Sequence, residues 1–289
     1  MEQNLVGVVQ SWLTQNQNDV FSSISAVKEK IRDRIHNILD SEPKAKTMIE
    51  IFLDRSDQSL SIEDFPPADF DSFISFLCMV ENSAYRKFAI IYFLIDEFDI
   101  IAGKSIEDVF DFANLILVSR EQVQFVLGCI NLDSSIYTPN LVTQLSFKAL
   151  PKSLEFPILS SLLANSRDER MLQHAFIFYT CKKPQAKNGS VEQNIIIYTL
   201  VLNYHLYEAL KYIRTINDDE QKIQLLKQMF DISLENNKEK EFHKLAFTRD
   251  EEEQVLNFKF PSENHYKRFC FARQRFDKLP EGENFKCTV

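Results

Sequence analysis

Glycine is nearly missing from this sequence, at 5 of 289 residues. So few cannot supply the tight turns and close backbone approaches of a sheet-rich fold or a phosphate cradle. No P-loop, dinucleotide fingerprint or G-x-S-x-G elbow is spelled. Histidine is equally sparse: His36, His174, His205, His243 and His265 stand apart, without the H-E-x-x-H or H-x-E spacing that puts ligands on one helical face. His174, beside an apolar run, reads as a hydrogen-bonded packing residue. The five cysteines, at 78, 129, 181, 270 and 287, are odd in number and form no C-x-x-C pair, so neither a zinc site nor a disulfide frame is written. Cys78, Cys129 and Cys181 fall in apolar runs, where a thiol acts as a small hydrophobe in a reducing compartment. Asp96, Glu97 and Asp99, near Gly103 and Glu107, miss the twelve-residue calcium rule. No catalytic residue, metal or cofactor is expected, and the chain reads as a non-enzyme.

Long hydrophobic runs are lacking as well. The most apolar one, Phe88 to Ile95, falls far short of the ~20 residues that cross a bilayer. Met1 to Gln10 lacks the charged start and hydrophobic block of a signal peptide. The expectation is an intracellular, soluble chain without membrane insertion, in which Asn188-Gly189-Ser190 is a turn followed by a Ser190 cap rather than a glycosylation site. Excess positive charge is absent too. A net charge of −9 repels a phosphate backbone and argues against direct DNA binding. The local basic run Lys28, Lys30, Arg32, Arg34 alternates around an apolar stripe and reads as a solvated face.

What is present points to helices. Apolar residues make up 45% of the chain and phenylalanine alone contributes 25, large flat side chains suited to packing between helices. The predicted fold is all-α, an irregular helical stack of α-solenoid type built from antiparallel helix pairs. A chain of this length buries roughly three quarters of its unfolded surface, as one domain or two coupled ones.

Leu5, Val8, Val9, Trp12 and Leu13 share one face of a first helix, and Val20, Ile24, Val27, Ile31, Ile35 and Ile38 form a narrow seam along a second. That seam docks either on the body of the protein or on another chain. Met48, Ile49, Phe52 and Leu53 mark a third helix. Pro66 and Pro67 lead into a fourth, which carries Phe70, Phe73, Ile74, Leu77 and Val80. YRKFAIIYFLIDEF, from Tyr85 to Phe98, is apolar nearly all round and therefore predicts a central helix. Ser105 with Asp108 starts a helix with Val109, Phe110, Ala113 and Leu117 as its face, and Ser119 with Gln122 starts the next. The polar stretch 131–139 is the candidate hinge. Pro139, Pro151 and Pro157 then divide the chain into short helices.

From Ser166 onward one unit recurs, a cap, an amphipathic helix and a polar turn. Ser166 with Glu169, Ser190 with Gln193, Asn217 with Glu220 and Thr248 with Glu251 have capping-box spacing, and Asn237 with Glu239 has it imperfectly. Helices are expected near 167–182, 190–202, 204–215, 218–235 and 249–259. Ala175 and Ala209 begin matching small-then-aromatic faces 34 residues apart, a helix-pair interval. The domain reading is 1–40 as N-terminal amphipathic helices packed on the body, 41–276 as the main helical domain and 277–289 as a tail. Near its end the chain carries Tyr266, Phe269, Phe271, Arg273, Arg275 and Phe276. These aromatic and basic residues either cover the end of the stack or form a protein-docking site.

Three features carry a family resemblance: the E-A-L-K-Y-I-R block at Glu208 to Arg214, a long helix ending near Leu234, and Leu245-Ala-Phe-Thr followed by an acidic helix start. With FAIIYFLIDEF at Phe88 to Phe98 and AFIFYTCKKPQ at Ala175 to Gln185, the segment from Ile49 to Phe276 resembles the helical domain of the ELYS family of nuclear pore proteins. The resemblance implies a structural nucleoporin on the nuclear side of the pore, at the nuclear envelope. Its expected partners are other nucleoporins of the Y-shaped scaffold subcomplex, and no small molecule. Large animal members carry a β-propeller and R-G-R-P-like hooks for AT-rich DNA. No R-G-R-P occurs here, so the resemblance is to the short fungal form and does not bring chromatin binding. The competing reading is an unrelated helical-repeat adaptor of a cytosolic assembly, of proteasome-lid or trafficking type.

Overall fold

The computed structural model describes residues 2–41, 46–56, 62–78, 84–101, 103–165 and 168–274. Among these every regular element is helical, and the helices pack in pairs, as the composition requires. The chain divides into two compact units, Met1–Pro184 and Gln185–Val289.

The first unit contains α1 (Glu2–Val20), α2 (Ile24–Ser41), α3 (Met48–Arg55), α4 (Phe70–Cys78), α5 (Ala84–Ile100), α6 (Ile106–Leu115), α7 (Arg120–Asp133), α8 (Leu141–Leu145), a 3-10 turn (Lys152–Leu154), α9 (Glu155–Ala164) and α10 (Glu169–Lys182). The axis of this unit is α5. Every residue from Phe88 to Phe98 is buried, so three successive turns have no wet side, and α1, α2, α3, α4, α6 and α7 all contact it. Phe52 of α3, Phe88 of α5 and Phe125 of α7 meet with ring centroids 5.4–6.2 Å apart, and Trp12 of α1 lies 4.6 Å from Phe112 of α6. Tilted and edge-on pairs of this kind add to the stabilisation that their burial provides.

Buried charge accompanies this apolar packing. Asp96 and Glu97 on α5 are 2% and 0% exposed, so each needs a partner. Arg34 of α2 grips Asp96 with two guanidinium nitrogens at 2.5 and 2.8 Å, and donates to the Tyr92 hydroxyl and to Ser134. The backbone N–H of Ser23, in the turn between α1 and α2, donates to Glu97 at 2.7 Å. At the far end of α7, buried Asp133 accepts the Tyr92 hydroxyl at 3.0 Å and the N–H groups of Met48 and Ile49 at 2.8 and 3.4 Å. A carboxylate at the C-terminus of its own helix is thereby set against the positive end of α3. One polar chain thus ties α2, α5, α7 and α3 together.

The N-terminal seam docks on this unit. Val27, Ile31 and Ile38 are at most 2% exposed, and α2 contacts α5 and α7. Val20 belongs to α1 rather than to the seam helix, since the turn at Phe21–Ser23 separates the two. The basic run is not wholly solvated: Arg32 is exposed, but Arg34 is drawn inward by Asp96. Leu117 also departs from expectation. It is 79% exposed at φ 58°, just past the end of α6, and its place on the inner face is taken by buried Phe112 and Ile116. Leu5 and Val80 lie outside the side chains described. The stretch 131–139 falls inside the first unit, with its first three residues completing α7.

The second unit contains α11 (Val191–Leu202), α12 (Leu206–Arg214), α13 (Asp219–Glu235), α14 (Glu239–His243), α15 (Arg249–Leu256) and α16 (Glu263–Gln274). Here α13 is the hub, touching α11, α12, α14 and α15. Capping follows the expected spacing only in part. Ser105, Ser119 and Thr248 form complete boxes with Asp108, Gln122 and Glu251. By contrast α10 and α13 are capped by Asp168 and Asp218, whose carboxylates accept the N–H of Arg170 and Gln221, rather than by Ser166 and Asn217. Ser166 lies outside the described residues. Ser190 occupies the cap position of α11 without capping. Its hydroxyl donates to Lys187, while Gln193 accepts the N–H of Gly189, which holds φ at +74° in the turn. Position 238, not Asn237, precedes α14 and supplies no side-chain cap. Cys129 is buried as expected, whereas Cys181 is exposed near the end of α10.

Candidate protein-interaction surface

The aromatic and basic residues near the C-terminus lie on α16, and helical geometry separates them. Residues 266, 269 and 273 follow at steps of three and four and so share a face, while 271 points the other way, two 100° steps from 269. Phe269 is fully buried. Its ring packs 5.3 Å from His243, 5.8 Å from Phe260 and 6.4 Å from Phe247. One turn later Arg273 is 4% exposed. It donates to the Leu245 carbonyl at 2.8 Å and to Glu252 at 3.1 Å, with its guanidinium over the Phe247 ring. Tyr266 is half-buried, edge-on to Phe260 at 5.4 Å. Phe271, by contrast, is 58% exposed. Arg275 and Phe276 lie outside the described residues.

The inward face of α16 therefore completes an aromatic cluster that begins on α13. Phe230 meets Phe242, Phe258 and Phe260 at 5.4, 5.6 and 4.9 Å, and Phe242 meets Phe247 and Phe269. Electrostatics add a second attachment. Glu239 of α14 lies within 3.6–3.9 Å of His243, His265 and Arg268, so one carboxylate faces three nitrogen-bearing side chains from two helices. Burial holds His243 below the usual imidazole range, with the nearby Glu239 pulling the other way. The Cys270 thiol is pushed up, chiefly by burial. The outer face offers Phe271 with Lys267 and Arg268, both exposed.

Aromatic residues and arginine are enriched at protein interfaces, and this face carries one of each, Phe271 and Arg268. Among the described residues no three His, Cys, Asp or Glu side chains converge as a metal site would need. His174 packs as expected, stacked on Tyr137 at 5.0 Å and held below the ordinary imidazole range by burial, but its buried Nδ1 has no hydrogen-bond partner among the described residues. One arrangement was not legible from spacing. Arg214, at the end of α12, holds Glu251 of α15 through two bonds of 2.8 and 2.7 Å and also donates to the Ala246 carbonyl. Both partners lie in segments quoted for the family resemblance, but nothing in either says that they meet.

No helix among the described residues is long and apolar enough to cross a membrane. A family model described as ELYS, nuclear pore complex assembly, matches residues 46–258, a span that runs from α3 through α15 and leaves α1, α2 and α16 outside it. No curated protein matches the chain.

Proposed function

This chain belongs to the ELYS family of nuclear pore complex assembly, and from that premise we propose that it is a structural nucleoporin docking on the Y-shaped scaffold subcomplex, on the nuclear side of the pore. The family match over residues 46–258 supports this reading, since it covers most of the chain and extends into both compact units. The helical architecture is consistent with it. Packed helices present long ridges and grooves, which supply a large contact area without a deep pocket. In this role the protein is held and holds, by protein–protein contact and without catalysis, and so contributes to pore organisation and nucleocytoplasmic transport.

We place one docking contribution on the outer face of α16, with Phe271 as the apolar anchor, while Tyr266 belongs to the inward face. Phe269 and Arg273 act from beneath, fixing the helix on α14 and α15 so that the outer face is presented without a cost for ordering the helix on binding. Fluorescent tagging of the full chain in cells tests the location. A punctate ring at the nuclear envelope supports the reading, and a diffuse cytosolic signal overturns it.

A further inference from the structure

A groove of about 460 Å³ opens in the second unit between the end of α12, the first half of α13 and the start of α15. Its apolar floor is Ile213, Ile223 and Leu226. Ile213 and Leu226 are each 3% exposed, but Ile223 is 36% exposed, an aliphatic side chain that the fold itself leaves partly uncovered. Arginine is among the residue types that dominate binding energy at protein interfaces, and Arg214 lines this groove together with the uncovered Ile223.

The lining holds three carboxylates, Asp219, Asp250 and Glu251, against two cations, Arg214 and Lys222, and so is net negative by one charge. Both cations of the lining are already paired, Arg214 with Glu251 through two bonds and Lys222 with Asp219 at 2.8 Å. Asp250, which lines the groove with Thr248 and Gln254, is exposed and has no ion-pair partner among the described residues. The positive ends of α13 and α15 also face this region. Each is satisfied by its own cap, Asp218 on α13 and the Thr248–Glu251 box on α15, and so neither asks for an anion.

We infer that this groove is a docking site for a basic amphipathic segment of a partner protein, which places one large aliphatic or aromatic side chain over Ile223 and a lysine or arginine against Asp250. An acidic rim favours and steers a cationic partner, and the apolar floor rewards a side chain that leaves water. This assignment goes beyond the nucleoporin reading and stands independently of it. It also lies inside the residues that the family model matches, whereas α16 does not.

The test uses the full chain and two fluorescein-labelled twelve-residue peptides, one with paired leucines flanked by lysine and arginine, the other with every basic residue replaced by glutamate. Fluorescence anisotropy is expected to show binding of the basic peptide and binding of the acidic one at least about tenfold weaker. Ile223→Glu and Asp250→Lys, both at exposed positions and checked for unchanged melting, are each expected to reduce affinity for the basic peptide about tenfold, or roughly 1.4 kcal/mol. Hydrogen exchange is expected to show new protection in the first half of α13 and the start of α15. The inference is overturned by absence of binding, by equal binding of the two peptides, by wild-type affinity in both variants, or by protection confined to other helices. A nuclear-envelope ring that persists alongside any of these results leaves the nucleoporin reading standing, so the two failures are distinguishable.

Discussion

Asp133 and Met48 are separated by 85 positions in the chain, and the carboxylate of the first accepts the backbone N–H of the second at 2.8 Å, wholly inside the protein. One end of α7 thereby closes the start of α3. The same carboxylate accepts Tyr92, so the contact also fixes α5 between them. Asp133→Ala is expected to destabilise the protein by about 3 kcal/mol, because it leaves two amides and a hydroxyl buried without an acceptor. Asp133→Asn, which retains an oxygen for Met48, is expected to lose less. Urea midpoints at constant slope measure both; a wild-type midpoint for the alanine variant contradicts this account of the network.

Glu97 gives the stability a pH dependence. Burial pushes its carboxyl up to about 7, against the Ser23 N–H that favours ionisation and with Asp96 adding to the rise. A carboxyl with a raised pKa binds its proton more tightly in the folded chain. Its contribution to stability is therefore fullest below the ordinary carboxylate range and is lost as pH rises toward about 7. Glu97→Gln keeps an acceptor for Ser23 and cannot ionise. It is expected to melt higher than wild type at pH 8 and close to wild type at pH 5. Equal melting differences at both values sink this prediction.

Gly128 sits where α7 and α8 approach each other. A Cβ there lies 2.9 Å from the Cβ of Gln144, which is fixed to the backbone and cannot swing away. Alanine normally gains about 1 kcal/mol over glycine inside a helix. At this position the overlap is expected to outweigh that gain, with a net loss of about 1–2 kcal/mol. Thermal melting of Gly128→Ala decides the sign, and a stabilised variant refutes the close approach.

The first two helices precede the span that the family model matches, yet they are built into the first unit. Val9, Leu13, Val27, Ile31 and Ile38 are buried, and Arg34 and Ser23 are partners of Asp96 and Glu97. Removing residues 1–45 is expected to strip one side of α5 and abolish the cooperative calorimetric transition of this unit. A sharp transition near the wild-type temperature shows instead that the two helices are accessory.

Phe269 packs inside the second unit, and Phe271, exposed on the same helix, is the docking residue proposed above. Phe269→Ser is expected to lose about 3–5 kcal/mol of local stability, as for a large buried aromatic. Phe271→Ser is expected to fold normally and to recover less scaffold in a pull-down. Undiminished recovery with Phe271→Ser removes the outer face of α16 from the docking account.

The apolar periodicity was largely legible in the sequence, because a stripe repeating at three and four residues declares its buried side whatever it packs against. Val27, Ile31, Phe52, Phe73 and the whole run Phe88 to Phe98 are buried accordingly. The polar positions were less legible. Arg34 looks solvated until Asp96, 62 residues away, is brought beside it, and Asp133 sits in a stretch that reads as linker. The aspartate caps fall outside the serine, threonine and asparagine spacing, although an aspartate oxygen accepts the same N–H. On α16 the aromatic and basic composition was visible, but its division into an inward Phe269 and an outward Phe271 needed the helical phase and the neighbouring cluster. The groove beside Ile223 depends on Arg214 meeting Glu251 across 37 residues, a pairing that no local pattern encodes.

Membership of the ELYS family assigns this chain to nuclear pore complex assembly, and attachment to the Y-shaped scaffold is the most specific part of the functional account. Affinity purification of the tagged full chain from its own cells, followed by quantitative mass spectrometry, tests that attachment most directly. The account predicts recovery of scaffold nucleoporins in near-stoichiometric amounts. Recovery of a proteasome-lid or trafficking assembly without nucleoporins contradicts it.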